Sequence, residues 1–100
     1  MGSESNEYYD KIRELMPKLY ETEDTAFEDK MIYEKWELPR TDFYWLIAEY
    51  DPERELAFGY ANLNDDQMAE WGYISIDELW ENGAQPVKDW KPTKFREIER

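Results

Sequence analysis

The chain has 100 residues, 25 acidic and 12 basic, for a formal net charge of −13 at neutral pH, and it contains neither cysteine nor histidine. That length suits one domain, and the two missing residue types exclude disulfides, thiol chemistry, ordinary zinc sites and imidazole acid/base catalysis. A charge this negative repels nucleic acids and anionic membranes and attracts cationic surfaces.

Five Trp, eight Tyr and four Phe supply enough apolar area for a packed core despite 37% charged residues. The opening MGSESNEYYD has neither the basic nor the apolar region of a secretory signal. The longest apolar run, Phe43 to Ala48, is far too short to span a bilayer. A soluble cytoplasmic protein is expected, with its oligomeric state left open.

In chain order, residues 1–5 read as a disordered start and 6–100 as a single acidic α+β domain. Ser5 is placed to cap a helix over Asn6–Leu15, with Tyr8, Ile12, Leu15, Met16 and Leu19 as its buried stripe. Pro17 ends it, and the acidic stretch 20–30 reads as a loop. Met31–Leu38 reads as a strand with Ile32, Trp36 and Leu38 on one face. After a turn at residues 39–42, Phe43–Tyr50 is apolar on both faces, as a central strand should be. Phe43, Trp45 and Ile47 alternate with Tyr44, Leu46, Ala48 and Tyr50. A turn at residues 51–54 leads to a strand over Leu56–Asn62, whose small residues Ala57, Gly59 and Ala61 leave room for a helix.

Beyond the loop at Asn64-Asp65-Asp66, Trp71–Ile76 reads as a fourth strand. Ser75 and Glu78 have the spacing of a capping box for a short helix over Ile76–Trp80, ended by Gly83. Val87, Trp90 and Phe95 lie in an expected edge segment followed by a brief helix after Thr93. The fold class is α+β: an N-terminal helix packed on an antiparallel meander of about four strands, with short C-terminal helices.

Five segments stand out together: Met16-Pro17-Lys18-Leu19-Tyr20, Phe43-Tyr44-Trp45, Glu49-Tyr50-Asp51, Phe58-Gly59-Tyr60 and EWGYISIDEL over residues 70–79. They resemble a small uncharacterised family often carried by plasmids, phages and integrative elements. The family pattern is Leu-Pro-x-Leu-Tyr, a Trp-Tyr strand with a following Glu, a Phe-Gly step, and Glu-x-Gly-Tyr-aromatic-Ser-x-x-Glu-Leu. The similarity spans roughly residues 12–98; Met16 stands where Leu is usual and Ile74 where an aromatic is common. As a domain of unknown function, the family implies a mobile-element setting and no catalytic residues.

Carboxylates are the only plentiful candidates for chemistry. Glu49 closes the central strand among Trp45, Ile47 and Tyr50, where burial tunes a carboxyl group for proton transfer. The competing expectation is that it accepts backbone or Tyr hydrogen bonds. Neither Asn64-Asp65-Asp66 nor Glu21, Glu23 and Asp24 has the spacing of a calcium loop, and the four glycines form no phosphate loop. No cofactor or metal is expected. Lys88, Lys91, Lys94 and Arg96, interleaved with Trp90 and Phe95, read as a tail packing on the acidic sheet and not as a nucleic-acid site.

Charge is uneven along the chain, with 11 acids against the single base Arg54 over residues 42–87. Glu49, Asp51, Glu53 and Glu55 alternate through a hairpin at spacings of about 6.6 Å on extended chain. Strand phosphates in DNA repeat every ~3.4 Å of axis, so the two spacings agree within a factor of two. With Asp65, Asp66, Glu70, Asp77, Glu78 and Glu81, these residues form a candidate nucleic-acid-mimicking surface. Its partner would be a protein with a basic nucleic-acid-binding groove, of anti-CRISPR or anti-restriction target type. Three alternatives stay open. One is an acidic face kept for solubility or salt adaptation. Another is a protein-interaction module using Trp36, Tyr60, Trp71 or Trp80. The third is a small enzyme using Glu49.

Overall fold

The computed structural model describes residues 13–63 and 69–98. Five antiparallel strands form the main sheet: β2 (Glu34–Glu37), β3 (Tyr44–Asp51), β4 (Leu56–Asn62), β5 (Glu70–Ser75) and β6 (Gln85–Pro86). Their spatial order is β5-β4-β3-β2-β6. A two-stranded ribbon pairs β1 (Met31–Ile32) with β7 (Thr93–Lys94), and one helix, α1 (Ile76–Glu81), follows β5. The chain is thus α+β, as expected, but the meander gains a fifth strand from beyond the helix, where Val87 N–H donates to the Lys35 carbonyl at 2.8 Å.

Two apolar layers cover the sheet. On one face, Trp36, Ile47, Tyr50, Ala57 and Ile74 pack with Ile76 and Leu79 of α1 and with Met16. On the other, Leu46 and Ala48 meet Ile32 and Phe95, flanked by Tyr44, Tyr60, Trp71 and Trp90. Among the described residues, the helix covering the first face is α1. The Ser75 hydroxyl caps it by accepting from the Glu78 N–H at 3.2 Å, and Gly83, at φ 86°, ends it.

The expected N-terminal helix lies mostly outside the described residues; the part of it that is described, residues 13–15, is helical. Leu15, assigned above to the buried stripe, is 71% exposed, whereas Met16 is buried. The chain leaves the helix at Met16, just before Pro17, so Met16 enters the core without helical spacing.

The single strand expected over Met31–Leu38 is broken at Tyr33, whose N–H donates to the Ile47 carbonyl at 2.9 Å. That break sends Ile32 and Trp36, assigned above to one face, into opposite layers. A second irregularity sits in β3. Ile47 pairs with Gly59 and Glu49 with Phe58, which makes Ala48 the extra residue of a β-bulge. Past it the alternation inverts: Tyr50 joins the α1 face and Glu49 the other. Gly59 is small for this reason, since a Cβ there would stand 2.0 Å from the Leu46 carbonyl oxygen, whereas Ala57 of the same small face packs with Ile76 and Leu79 of α1, the helix contact expected there.

Candidate functional site

The bulge aims the Glu49 side chain at the loop before β1. Its Oε1 accepts from the Tyr20 N–H at 2.8 Å, and its Oε2 accepts from the Thr22 N–H at 3.1 Å and from the Thr22 hydroxyl. Lys30, as deeply buried as Glu49, donates through Nζ to Thr22 Oγ1 at 2.7 Å and to the Thr22 carbonyl; Nζ lies 4.0 Å from Glu49 Oε2. Two opposite charges thus share one interior site, and Thr22 bridges them. Tyr20 is held there at φ 74°, a left-handed conformation that costs a tyrosine free energy.

Aromatic rings roof this network. Phe27, in a 3-10 turn over Phe27–Asp29, stacks on Trp71 with ring centroids 4.9 Å apart and 11° between planes. Phe58 lies 5.8 Å from Trp71, Tyr73 meets Phe58 edge-on at 5.6 Å, and Tyr20 meets Tyr73 at 6.4 Å. The Lys30 ammonium sits 5.8 Å from both the Phe27 and Phe58 centroids, a cation–π distance. A cavity of about 230 Å³ opens between these rings, Glu23, Lys30 and Glu49. A hydrogen bond between the Tyr73 and Tyr20 hydroxyls, with the Glu49 and Glu23 charges, raises the Tyr73 phenol above its ordinary value.

A second polar group lies under the helix-covered face. Buried Glu34 accepts from the Trp36 indole N–H through Oε1 at 3.0 Å, while its Oε2 has no hydrogen-bond partner and faces Arg13 Nε at 3.7 Å. Burial pushes this carboxyl above its ordinary range, an effect the Trp36 N–H and Arg13 only partly offset. Arg13 also lies over the Tyr50 ring at 5.0 Å, and the Tyr50 hydroxyl donates to Glu55 Oε2 at 2.5 Å. Burial and that bond raise the Tyr50 phenol strongly.

The described acids expected to form one surface divide among four places. Glu49 is 3% exposed and engaged internally, so it does not belong to an outer face; the bulge that inverts its direction is invisible to simple alternation. Asp51, Glu53 and Glu55 occupy the β3–β4 turn, and Ile76 N–H donates to the Glu55 carbonyl at 3.1 Å, which brings Asp77 and Glu78 of α1 to the same end of the sheet. Glu81 lies at the far end of α1. Glu70 opens β5 opposite Ala61, at the other end of the sheet. Asp65 and Asp66 lie outside the described residues, as does Asn64.

Among the expected aromatic contacts, Trp36 is fully buried, Tyr60 and Trp71 are half-buried, and Trp80 is exposed while its ring meets Trp36 edge-on at 4.9 Å. The aromatics that sequence reasoning missed are Tyr20, Phe27 and Tyr73, each more than half exposed. Phe27 sits in a stretch classed by its acidity as loop, so only its isolation among acids could have marked it. In the basic tail, Phe95 is buried and the Trp90 indole N–H donates to the Ile32 carbonyl at 3.1 Å, while Arg96 pairs with Asp29 and lies 4.0 Å from Glu28.

No cluster of three metal-ligating side chains occurs among the described residues, and no helix among them is long and apolar enough to cross a membrane. Comparison with known proteins found no matching family model, curated protein or solved structure.

Proposed function

We propose that this chain is a non-enzymatic protein that binds and inhibits a nucleic-acid-binding host-defence protein, of the anti-CRISPR or anti-restriction type. It would present carboxylates where that protein expects phosphates. The observation that carries the reading is the acidic end of the sheet. The Ile76–Glu55 backbone bond fixes the β3–β4 turn against the start of α1, placing Asp51, Glu53, Glu55, Asp77 and Glu78 together. Arg54 lies 3.6 Å from Asp51, and Lys18 and Arg13 border the same turn, so the five carboxylates outnumber the three cations beside them. The proposed mobile-element setting rests on the resemblance to a small uncharacterised family carried by plasmids, phages and integrative elements. The engagement of Glu49 by three donors supports a binding role over catalysis, because those bonds hold the carboxylate as a structural acceptor.

The test is affinity capture from an extract containing nucleases and CRISPR effectors, followed by a salt titration on the retained protein. Affinity should fall steeply with salt, DNA or guide RNA should compete, and joint Glu53→Lys, Asp77→Lys and Glu78→Lys changes should weaken binding more than roughly tenfold. Binding that ignores both salt and nucleic acid refutes the mimicry. It would favour a second reading, an interaction module built on exposed aromatics, which the exposure of Tyr20, Phe27 and Tyr73 supports.

A further inference from the structure

We propose that the aromatic face of β4 and β5, capped by Phe27, is a docking surface for arginine side chains of a protein partner. The inference goes beyond the acidic end of the sheet: it concerns a different surface and stands whether or not that end mimics nucleic acid.

Five rings are in contact here, and three of them are more than half exposed: Phe27 at 52%, Tyr20 at 54% and Tyr73 at 56%. Phe27 lies flat on Trp71, so the pair presents a planar platform and not a ragged apolar patch. Exposed apolar surface of this kind marks a contact site on a small domain. Charge selects the occupant. The loop that delivers Tyr20 and Phe27 also carries Glu21, Glu23, Asp24 and Glu28, all exposed. Of the nearby cations, Lys30 is committed to Glu49 and Thr22 and Arg96 to Asp29 and Glu28, while Lys18 stands exposed beside Tyr20. Among the described residues Glu23 and Asp24 form no ion pair, and Glu23 borders the cavity between the rings.

The rings already accept one cation from the inside, since Lys30 sits at cation–π distance from two of them. A guanidinium arriving from outside can lie flat on an exposed ring and reach a rim carboxylate through two N–H groups at once. An ammonium is more strongly hydrated and has no planar fork, so it gains less. A nucleic-acid base would also stack on such rings, but its phosphates meet a chain of net charge −13.

The experiment uses the full chain with labelled nona-arginine and nona-lysine, peptides of equal charge, followed by fluorescence anisotropy. Nona-arginine should bind roughly fivefold tighter, and the Trp71 indole resonance should shift on its addition. Phe27→Ala and Tyr73→Ala, both at exposed positions, should fold normally by circular dichroism and bring the two affinities together. The joint Glu53→Lys, Asp77→Lys and Glu78→Lys change should weaken both peptides without altering their ratio, so a failure of the acidic-end reading stays separate from a failure here. Equal affinities in the parent protein overturn the proposal, as does a preference for arginine that survives Phe27→Ala. So does tighter binding of oligo-dT than of nona-arginine. A dimer in sedimentation velocity that Phe27→Ala dissolves would assign the face to a second copy and equally overturn it.

Discussion

Replacing Glu49 by Gln tests whether the interior charge pair organises the aromatic face. The amide keeps the size of the carboxylate but turns one acceptor into a donor. That donor must face the Tyr20 N–H on one side or the Thr22 N–H on the other, and both of those groups can only donate. Lys30 loses its opposite charge at 4.0 Å, a pair whose Coulomb attraction is about 4 kcal/mol at the effective dielectric of protein sites. Removing one member of a buried pair costs about 3–5 kcal/mol, against about 5–15 kcal/mol for the whole of a small domain. Glu49→Gln should therefore forfeit a large share of the stability. In urea, with tryptophan emission as the signal, the midpoint should fall by about 2 M. Adding Lys30→Met should recover part of the loss, giving a coupling energy of about 1–3 kcal/mol. The Tyr20 and Thr22 amides should exchange faster in Glu49→Gln. A midpoint shift equivalent to less than about 0.5 kcal/mol would refute the reasoning, since surface substitutions stay within that range.

Gly59→Ala should be severely destabilising, because the added Cβ would meet the Leu46 backbone and not a yielding side chain. A loss of about 3 kcal/mol or more, seen as a Tm drop of over roughly 12 °C, is expected. Gly72→Ala, with nothing within 4 Å of the new Cβ, is the matched control and should leave Tm nearly unchanged. Glu34→Gln should act through pH. Burial raises the Glu34 carboxyl, so the folded chain holds that proton to higher pH than the unfolded chain does, and this residue's contribution to stability declines as pH rises from about 4.5 through its folded value. The variant should melt above the parent at pH 7, with the gap closing as pH falls toward the ordinary carboxylate range. A gap independent of pH would show that Glu34 is not paying for burial.

The sheet was legible because its strands announce themselves locally. Tyr44–Asp51, Leu56–Asn62 and Glu70–Ser75 appear close to where residue type and alternation place them. The Ser75 cap and Gly83 terminus follow from side-chain and backbone chemistry within a few residues. The faces were less legible. Alternation holds only while the ladder is regular, and the break at Tyr33 and the bulge at Ala48 each invert it. Both irregularities are settled by pairing with distant chain, Tyr33 with Ile47 and β3 with the backbone around Gly59.

The sequence alone determined the fold class, the acidity and the absence of cysteine and histidine chemistry, because these follow from composition and short-range pattern. Tertiary structure decided which acids and aromatics face outward. Glu49, expected either on an acidic face or as an acceptor of backbone hydrogen bonds, is the latter, because a single extra residue in β3 turned it toward Tyr20, Thr22 and Lys30, the last 19 positions earlier in the chain. Phe27 moved from an unremarked loop residue to the cap of the aromatic face, because its turn lands on Trp71. Both outcomes depend on contacts between segments far apart in sequence, whose register is fixed only when the sheet is assembled.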